Sequence, residues 1–264
     1  MEVNDEINLF EKVKSKYILK QILDNLIRVK FLNIIRYNKS IQNRLNIGIQ
    51  DYKDCIKLEI QLEIIPVAER KVDSYKFINL ENVNYLHVYF NDKKEEEINK
   101  NSLSRNENIT NIKIILDYEI TSFKELFFCC SWIKKINFIK CNRKNINDTS
   151  CMFYGCDSLV EFNLSNLNTD NVVKMDRMFY LCSSLEKLDI SNLNANKVND
   201  MSYTFYDCRK LKQLNMLNIF SNDLKDTSYM FQLCHSLSEL KFSSFNTKNV
   251  ANMCSMFDDC KSLK

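Results

Sequence analysis

The sequence predicts an α/β solenoid with a parallel β-sheet on one face and short helices on the other, preceded by a small helical N-terminal region. Two observations carry this prediction: apolar residues recur in a fixed order every 26 residues, and each recurrence contains a short alternating motif typical of a strand. We call a set of equivalent residues, one from each recurrence, a column. The first column consists of phenylalanines: Phe127, Phe153, Phe179, Phe205, Phe231 and Phe257.

Two further columns follow the phenylalanines at constant distances. Three residues after each phenylalanine stands a cysteine: Cys130, Cys156, Cys182, Cys208, Cys234 and Cys260. Three residues later again stands an aliphatic residue: Ile133, Leu159, Leu185, Leu211, Leu237 and Leu263. A single unit of this size cannot bury its own apolar residues, so we expect successive units to stack and like residues to form buried columns.

Within one unit, two spacings indicate secondary structure. Leu185, Leu188 and Ile190 have the spacing of a short strand with alternate residues facing inward. The apolar residues of 198–205 then recur at intervals of three and four, which predicts a short helix or helical turn. This order of strand and helix is that of a leucine-rich repeat.

Two phrases carry a family resemblance: MFYGCDSLVEFNLSNLNTDNV and MFYLCSSLEKLDISNLNANKV. They resemble the BspA-like leucine-rich repeats of bacterial surface lipoproteins and many protist proteins, and the resemblance covers residues 126–264. It implies a leucine-rich-repeat fold, and a cell-surface adhesin as one candidate function. The commonest leucine-rich repeat has an asparagine ladder one residue earlier than the asparagine column of this chain, which consists of Asn142, Asn168, Asn194 and Asn246.

The chain divides into three predicted parts. Residues 1–51 carry apolar stripes at helical spacing and form a helical N-terminal cap that covers the first repeat. An F-box-like module is the alternative there, because KYILKQILDNLIRVKFLNIIRYNKSIQNRL is similar to that motif. Residues 52–125 are irregular leucine-rich-like repeats, and residues 126–264 are the regular repeats, which end in the middle of a unit.

The balance of charged residues limits the classes of partner that we expect. Lysine and arginine number 37 and aspartate and glutamate 34, so the near-balance gives no electrostatic reason to expect nucleic acid or an anionic membrane. The N-terminus MEVNDEINLF has acidic residues where a signal peptide is basic, and no window approaches a transmembrane stretch. We therefore predict a cytoplasmic protein; a surface location follows from the family resemblance alone.

The sequence lacks the common catalytic and phosphate-binding motifs, so we predict neither an enzyme nor a bound cofactor. Two glycines cannot build a phosphate-binding loop, and there is no Gly-x-Ser-x-Gly motif. The cysteine column has no Cys-x-x-Cys pair, so its members are predicted to be small buried apolar residues and neither metal ligands nor disulfides. Cys129, Cys151 and Cys254 fall outside the column and are the predicted reactive thiols.

We predict a non-enzymatic protein–protein interaction scaffold whose partner binds the outward-facing strand positions of the repeats. Two alternatives remain: an F-box-like substrate adaptor of a ubiquitin ligase, and a surface adhesin of the BspA-like type. The candidate partner-binding face consists of Lys135, Asn137, Glu161, Asn163, Lys187, Asp189, Gln213, Asn215, Glu239 and Lys241.

The last residue, Lys264, lies just after the first leucine of another unit. This position predicts an open sheet edge and an uncovered core end. Truncation, a missing C-terminal exon and end-to-end pairing with a second molecule are the three explanations that the sequence leaves open.

Overall fold

The computed structural model describes residues 13–15, 39–46, 60–68, 74–80, 86–93, 100–116, 120–141, 143–217, 219, 221–242 and 247–264. Within these residues there is one helix, α1 (Lys39–Leu45), and Ile41 is its buried residue. The N-terminal cap or F-box-like module was predicted from apolar residues at helical spacing. Most of these residues, in the segment 16–38, lie outside the described ranges.

The described residues form three sheets. The strands are β1 (Ile60–Pro66), β2 (Ser74–Lys76), β3 (Leu86–Phe90), β4 (Ser102–Ser104), β5 (Ile112–Leu116), β6 (Ile133–Cys141), β7 (Glu161–Asn163), β8 (Lys187–Asp189), β9 (Gln213–Met216) and β10 (Glu239–Phe242). A five-stranded sheet has the order β3-β5-β1-β6-β7, a three-stranded sheet the order β10-β9-β8, and β2 pairs with β4.

The five-stranded sheet is centred on β1, which pairs antiparallel with both β5 and β6. Its sequence IQLEIIP alternates buried and half-buried residues, as expected for a strand with one face in the core. Leu62 lies opposite Ile114 of β5 and Phe138 of β6, and all three side chains are buried. Only the last pair of this sheet, β6 with β7, is parallel.

The predicted early leucine-rich-like repeats are therefore wrong. Stacked repeats would place equivalent strands parallel, but β3 and β5, which lie 26 residues apart, pair antiparallel. An alternating apolar pattern indicates a strand with one buried face and carries no information on its direction. The 26-residue step between these two strands does not reflect stacked units.

In the regular repeats the backbones pair in parallel and in step. Lys187, Gln213 and Glu239 are neighbours across β8, β9 and β10. On the other side of each repeat, single parallel bridges join neighbouring repeats along one column. This column contains Ser122, Asp148, Lys174, Asp200, Asp226 and Asn252.

The predicted short helices after the strands are also wrong, since these segments form consecutive turns. The amide of Met152 donates to the Thr149 carbonyl (3.2 Å), whereas the next amide, of Phe153, donates to Met178 of the following repeat (2.9 Å). The alternation continues: Tyr154 donates within its own repeat and Gly155 to the next. An α-helix would use every amide within the segment.

Left-handed backbone conformations allow these turns. Two residues in each regular repeat have positive φ values, for example 54° at Arg177 and 60° at Leu181. Such values are uncommon for residues other than glycine, and asparagine and aspartate adopt them more readily than bulkier residues. Together, the mixed five-stranded sheet, the turns and the presence of only one helix among the described residues overturn the predicted leucine-rich-repeat solenoid.

The buried columns themselves are confirmed. The phenylalanine rings of successive repeats stack with centroid separations of 5.5, 5.4, 5.7, 5.5 and 5.1 Å from Phe127 to Phe257. All are buried except Phe257, which is 41% exposed. The rings thus form a continuous interior row that links the repeats.

Each column cysteine also has a specific hydrogen bond. The Cys182 thiol donates to the carbonyl of Phe153 in the preceding repeat (3.1 Å), and Cys208 donates in the same way to Phe179 (3.2 Å). The predicted interpretation as small buried apolar residues omitted this bond. A thiol at this position both fills the core and satisfies a buried carbonyl.

Candidate functional site

The structure places the ten predicted site residues on the strand face, in two groups. In the first group, Lys135 lies opposite Glu161, and Asn137 opposite Asn163, across β6 and β7. The second group lies on the three-stranded sheet. It contains Lys187, Asp189, Gln213, Asn215, Glu239 and Lys241.

The two groups are separated because β7 and β8 belong to different sheets. At this interruption lies an open groove of about 540 Å³, which we call the sheet-break groove. Its lining residues are Lys135, Val160, Glu161, Phe162, Asn163, Glu186, Lys187 and Asp189.

The sheet-break groove has an apolar floor. Val160 is 37% exposed, and Phe162 is half-buried beside it. The Phe162 ring is held from below by the buried rings of Phe153 (centroids 6.1 Å apart) and Phe179 (5.2 Å). The stacked phenylalanines therefore position the floor of the groove.

A second groove, the strand-face groove, lies over β8, β9 and β10 and has a volume of about 410 Å³. Its rim consists of the six predicted residues of the second group, with Leu188 and Leu214 below them. Nine of the ten predicted residues line one or both grooves. Asn137 instead lies inside the five-stranded sheet, between Glu63 and Asn163.

Charged and amide side chains form cross-strand pairs around both grooves. Lys135 pairs with Glu161 at 3.1 Å, and the Asn215 amide donates to Asp189 at 2.9 Å. Hydrogen bonds from Ser191, and then from Asn215, lower the pKa of Asp189, so it is ionised at neutral pH. Exposed pairs of this kind contribute at most about 1 kcal/mol each to stability, so a partner can exchange them at low cost.

The opposite, turn-forming side carries an aromatic row that the sequence analysis missed. Its members are Phe128, Tyr154, Tyr180 and Tyr206, each half-buried. Their ring centroids are 4.7, 4.5 and 4.6 Å apart in succession. The signal was present, because each member directly follows a residue of the phenylalanine column.

The three cysteines predicted to be reactive differ in exposure. Cys129 and Cys254 are exposed, and Cys151 is half-buried. Burial, and secondarily Asp176, raises the pKa of Cys151 to about 11, which disfavours its reactive thiolate. Among the described residues, no group of three or more histidine, cysteine, aspartate or glutamate side chains could hold a metal ion.

These environments predict the order of thiol alkylation in the folded protein. With N-ethylmaleimide, we expect Cys254 and Cys129 to be modified first, Cys151 more slowly, and the buried column cysteines only after unfolding, because the reagent must reach a thiolate. Peptide mass spectrometry at timed quenches measures the order. Modification of Cys182 at the rate of Cys254 without urea would contradict the burial that we describe.

The helix in the described part of the chain is too short and too polar to cross a lipid bilayer. Parallel pairing in step, with like side chains in columns, defines this molecule as a repeat protein. The chain matches the family described as "Mycoplasma protein of unknown function, DUF285" over residues 121–236 and 220–264. Since these segments span more than half of the chain, the protein belongs to this family. No curated protein and no solved structure matches it.

Proposed function

We propose that this protein is a non-enzymatic scaffold that binds a partner protein on its repeat surface, and that the partner docks in the sheet-break groove. The observation that carries the proposal is the apolar floor formed by the exposed Val160 and the half-buried Phe162 within a rim of charged residues. An apolar centre with a polar rim is the common composition of a specific protein interface.

The composition of the rim indicates what the partner presents. Lys135 and Lys187 contribute positive charge, while Glu161, Glu186 and Asp189 contribute negative charge. A partner with one apolar side chain flanked by charges of both signs would fill the floor and pair with the rim. Charge complementarity of this kind supports specificity and association rate more than affinity.

The aromatic row on the turn side is a weaker docking surface despite its tyrosines. Tyrosine contributes to interfaces mainly through the faces of its ring. In this row, both faces of Tyr180 are covered, by Tyr154 at 4.5 Å and Tyr206 at 4.6 Å. Only ring edges and hydroxyl groups remain for a partner.

A specific variant tests the groove. Val160→Glu places a carboxylate on the apolar floor, and we expect it to abolish partner binding because an unpaired charge would have to be desolvated. Leu217→Glu is the matched control, since Leu217 is 43% exposed and lies outside both grooves. Wild type and both variants serve as immobilised baits for source-cell lysate, and quantitative mass spectrometry compares the proteins retained.

The groove is supported if the variant at position 160 loses proteins that wild type and the control at position 217 retain. Equal retention by all three baits shows that the partner binds elsewhere. A wild-type bait that retains nothing above the empty matrix contradicts the scaffold function itself. Thermal melts of the three proteins exclude unfolding as the cause of a loss.

A surface adhesin is a second candidate because the Met-Phe-x-x-Cys-x-Ser-Leu block resembles BspA-like surface proteins. The exposed thiols of Cys129 and Cys254 provide the test. A membrane-impermeant maleimide applied to intact source cells modifies them only if the protein is outside the membrane. Labelling before lysis supports the adhesin, and labelling only after lysis supports the cytoplasmic scaffold.

A further inference from the structure

The three tyrosines of the aromatic row have an unusually regular geometry. Tyr154 and Tyr180 have ring centroids 4.5 Å apart and planes 7° from parallel. Tyr180 and Tyr206 are 4.6 Å apart and 4° from parallel. The three phenol rings are therefore held one above another with matching edges in line, and their half-buried state leaves an edge of each in contact with solvent.

The backbone keeps these rings in line. The Gly155 amide donates to the carbonyl of Tyr180 at 2.8 Å, and the Leu181 amide donates to the carbonyl of Tyr206 at 2.9 Å. The carbonyls of Tyr180 and Tyr206 are thus each bonded to the amide of the residue that follows the preceding tyrosine. These backbone bonds hold the three tyrosines in register from one repeat to the next.

We propose that this stack is an oxidative cross-linking site, at which Tyr180 forms a carbon–carbon bond with Tyr154 or Tyr206. The oxidant is of the haem-peroxidase class and uses hydrogen peroxide. The proposal rests on the ring geometry alone and does not depend on the partner-binding function.

Each of two phenols loses one proton and one electron and becomes a phenoxyl radical. The two electrons and two protons reduce one hydrogen peroxide to two water molecules. The radicals then join through the carbons ortho to their oxygens, and a shift of the two ring hydrogens to the oxygens restores both phenols. One ring turns out of the stack as the bond forms, which its solvent-facing edge permits.

A second stacked pair provides an internal comparison. Tyr203 and Tyr229 lie 4.6 Å apart and 12° from parallel, so stacking alone would favour their coupling as well. The Cys254 thiol, however, lies 3.6 Å from the Tyr229 hydroxyl. A thiol this close donates a hydrogen atom to the phenoxyl radical and leaves a sulfur radical. We expect little coupling at this pair until Cys254 is replaced.

Trypsin separates the tyrosines concerned. Tyr154 is the single tyrosine of peptide 145–174, and Tyr180 is the single tyrosine of peptide 178–187. Peptide 198–209 contains Tyr203 and Tyr206, and peptide 226–241 contains Tyr229. The experiment treats the dilute full chain with a peroxidase and hydrogen peroxide, digests it, and identifies joined peptides that lack two hydrogens by mass spectrometry.

The expected products are 145–174 joined to 178–187, and 178–187 joined to 198–209. Their yield should be on the order of tenfold higher in the folded chain than in urea, because the stack supplies a high effective concentration. Tyr180→Phe should remove both products, and Tyr206→Phe only the second. Phenylalanine is compatible with the row, as Phe128 already stacks there. Cys254→Ser should newly yield 198–209 joined to 226–241.

Three results would overturn the proposal. One is the absence of both products from protein whose circular dichroism shows it to be folded. The second is equal yield in urea, which would mean that the stack does not direct the coupling. The third is cross-linking found only between molecules, seen as dimers on a denaturing gel.

Discussion

Raising the pH from about 9 to about 10 should lower the free energy of unfolding by about 5 kcal/mol, which is comparable to the total stability of many domains. The cause is the cysteine column. Cys130, Cys156, Cys182, Cys208 and Cys234 are buried. Burial raises the pKa of each thiol above the ordinary value of 9.0, to about 12 for Cys130.

The sign follows from where the protons are bound. Above the unfolded pKa of 9.0, the unfolded chain loses thiol protons that the folded chain retains, so rising pH favours unfolding. The contribution is fully present below about pH 9 and is lost as the pH rises toward the folded values. Each buried thiol costs about 1 kcal/mol between about pH 9 and about pH 10.

Urea unfolding followed by circular dichroism at several pH values, under a reducing agent, measures this dependence. The double substitution Cys182→Ser and Cys208→Ser is the matched comparison, since a serine hydroxyl donates the same hydrogen bond and does not titrate. Between about pH 9 and about pH 10, its free energy of unfolding should fall by about 2 kcal/mol less than that of the wild type, about 1 kcal/mol for each removed thiol. An unchanged slope would show that the column does not cause the alkaline instability.

Phe205→Ala should destabilise the protein by about 3–5 kcal/mol, as large-to-small changes in a packed core do. Phe205 is fully buried and stacks on Phe179 at 5.7 Å and on Phe231 at 5.5 Å, so its removal leaves a cavity with an aromatic ring on each side. The urea midpoint at constant slope gives the loss.

Phe257→Ala is the control for that substitution. Phe257 belongs to the same column but is 41% exposed and stacks on Phe231 at 5.1 Å. Truncation there opens no closed cavity, so we expect a clearly smaller loss. Equal losses at positions 205 and 257 would mean that the interior row is not the main source of stability.

The buried columns could be predicted because burial imposes a strict pattern on residue type. Phe153, Cys156 and Leu159 each recur at one step along the chain, and all three are buried. Strand positions were also accessible, since alternation marks them. What alternation cannot encode is pairing: β1 lies between β5 and β6, both distant from it in sequence.

The turns could not be distinguished from helices by apolar spacing. Consecutive turns with left-handed residues place side chains at intervals close to those of a helix, and both bury residues such as Met201 and Phe205. Glycine would have indicated the left-handed positions, but among the described residues it marks just one of them, Gly155. Arg177, Leu181 and Tyr203 adopt the same conformation without any sign in the sequence.

The candidate site was predictable in part. Outward strand positions identified nine groove-lining residues, because side chains alternate along a strand. The groove itself was not, since β7 and β8 carry the same strand motif and nothing in it marks the change of sheet between them. Val160, which lines the floor, was missed because it follows Leu159 in the apolar column and resembles core sequence.

The alternating hydrogen bonds of the backbone amides restrict which insertions and deletions the protein can tolerate. Each repeat donates every second amide forward, and its cysteine thiol donates back to the preceding repeat. Insertion of one residue in a turn segment would shift the alternation by one position. Amides that now donate to the next repeat would then point into their own repeat, and the phenylalanine rings would no longer stack. Duplication or deletion of one whole unit during replication preserves both. Viable alleles should therefore differ in length by complete repeats. The protein can then be lengthened or shortened during evolution while its hydrogen bonding and ring stacking are preserved.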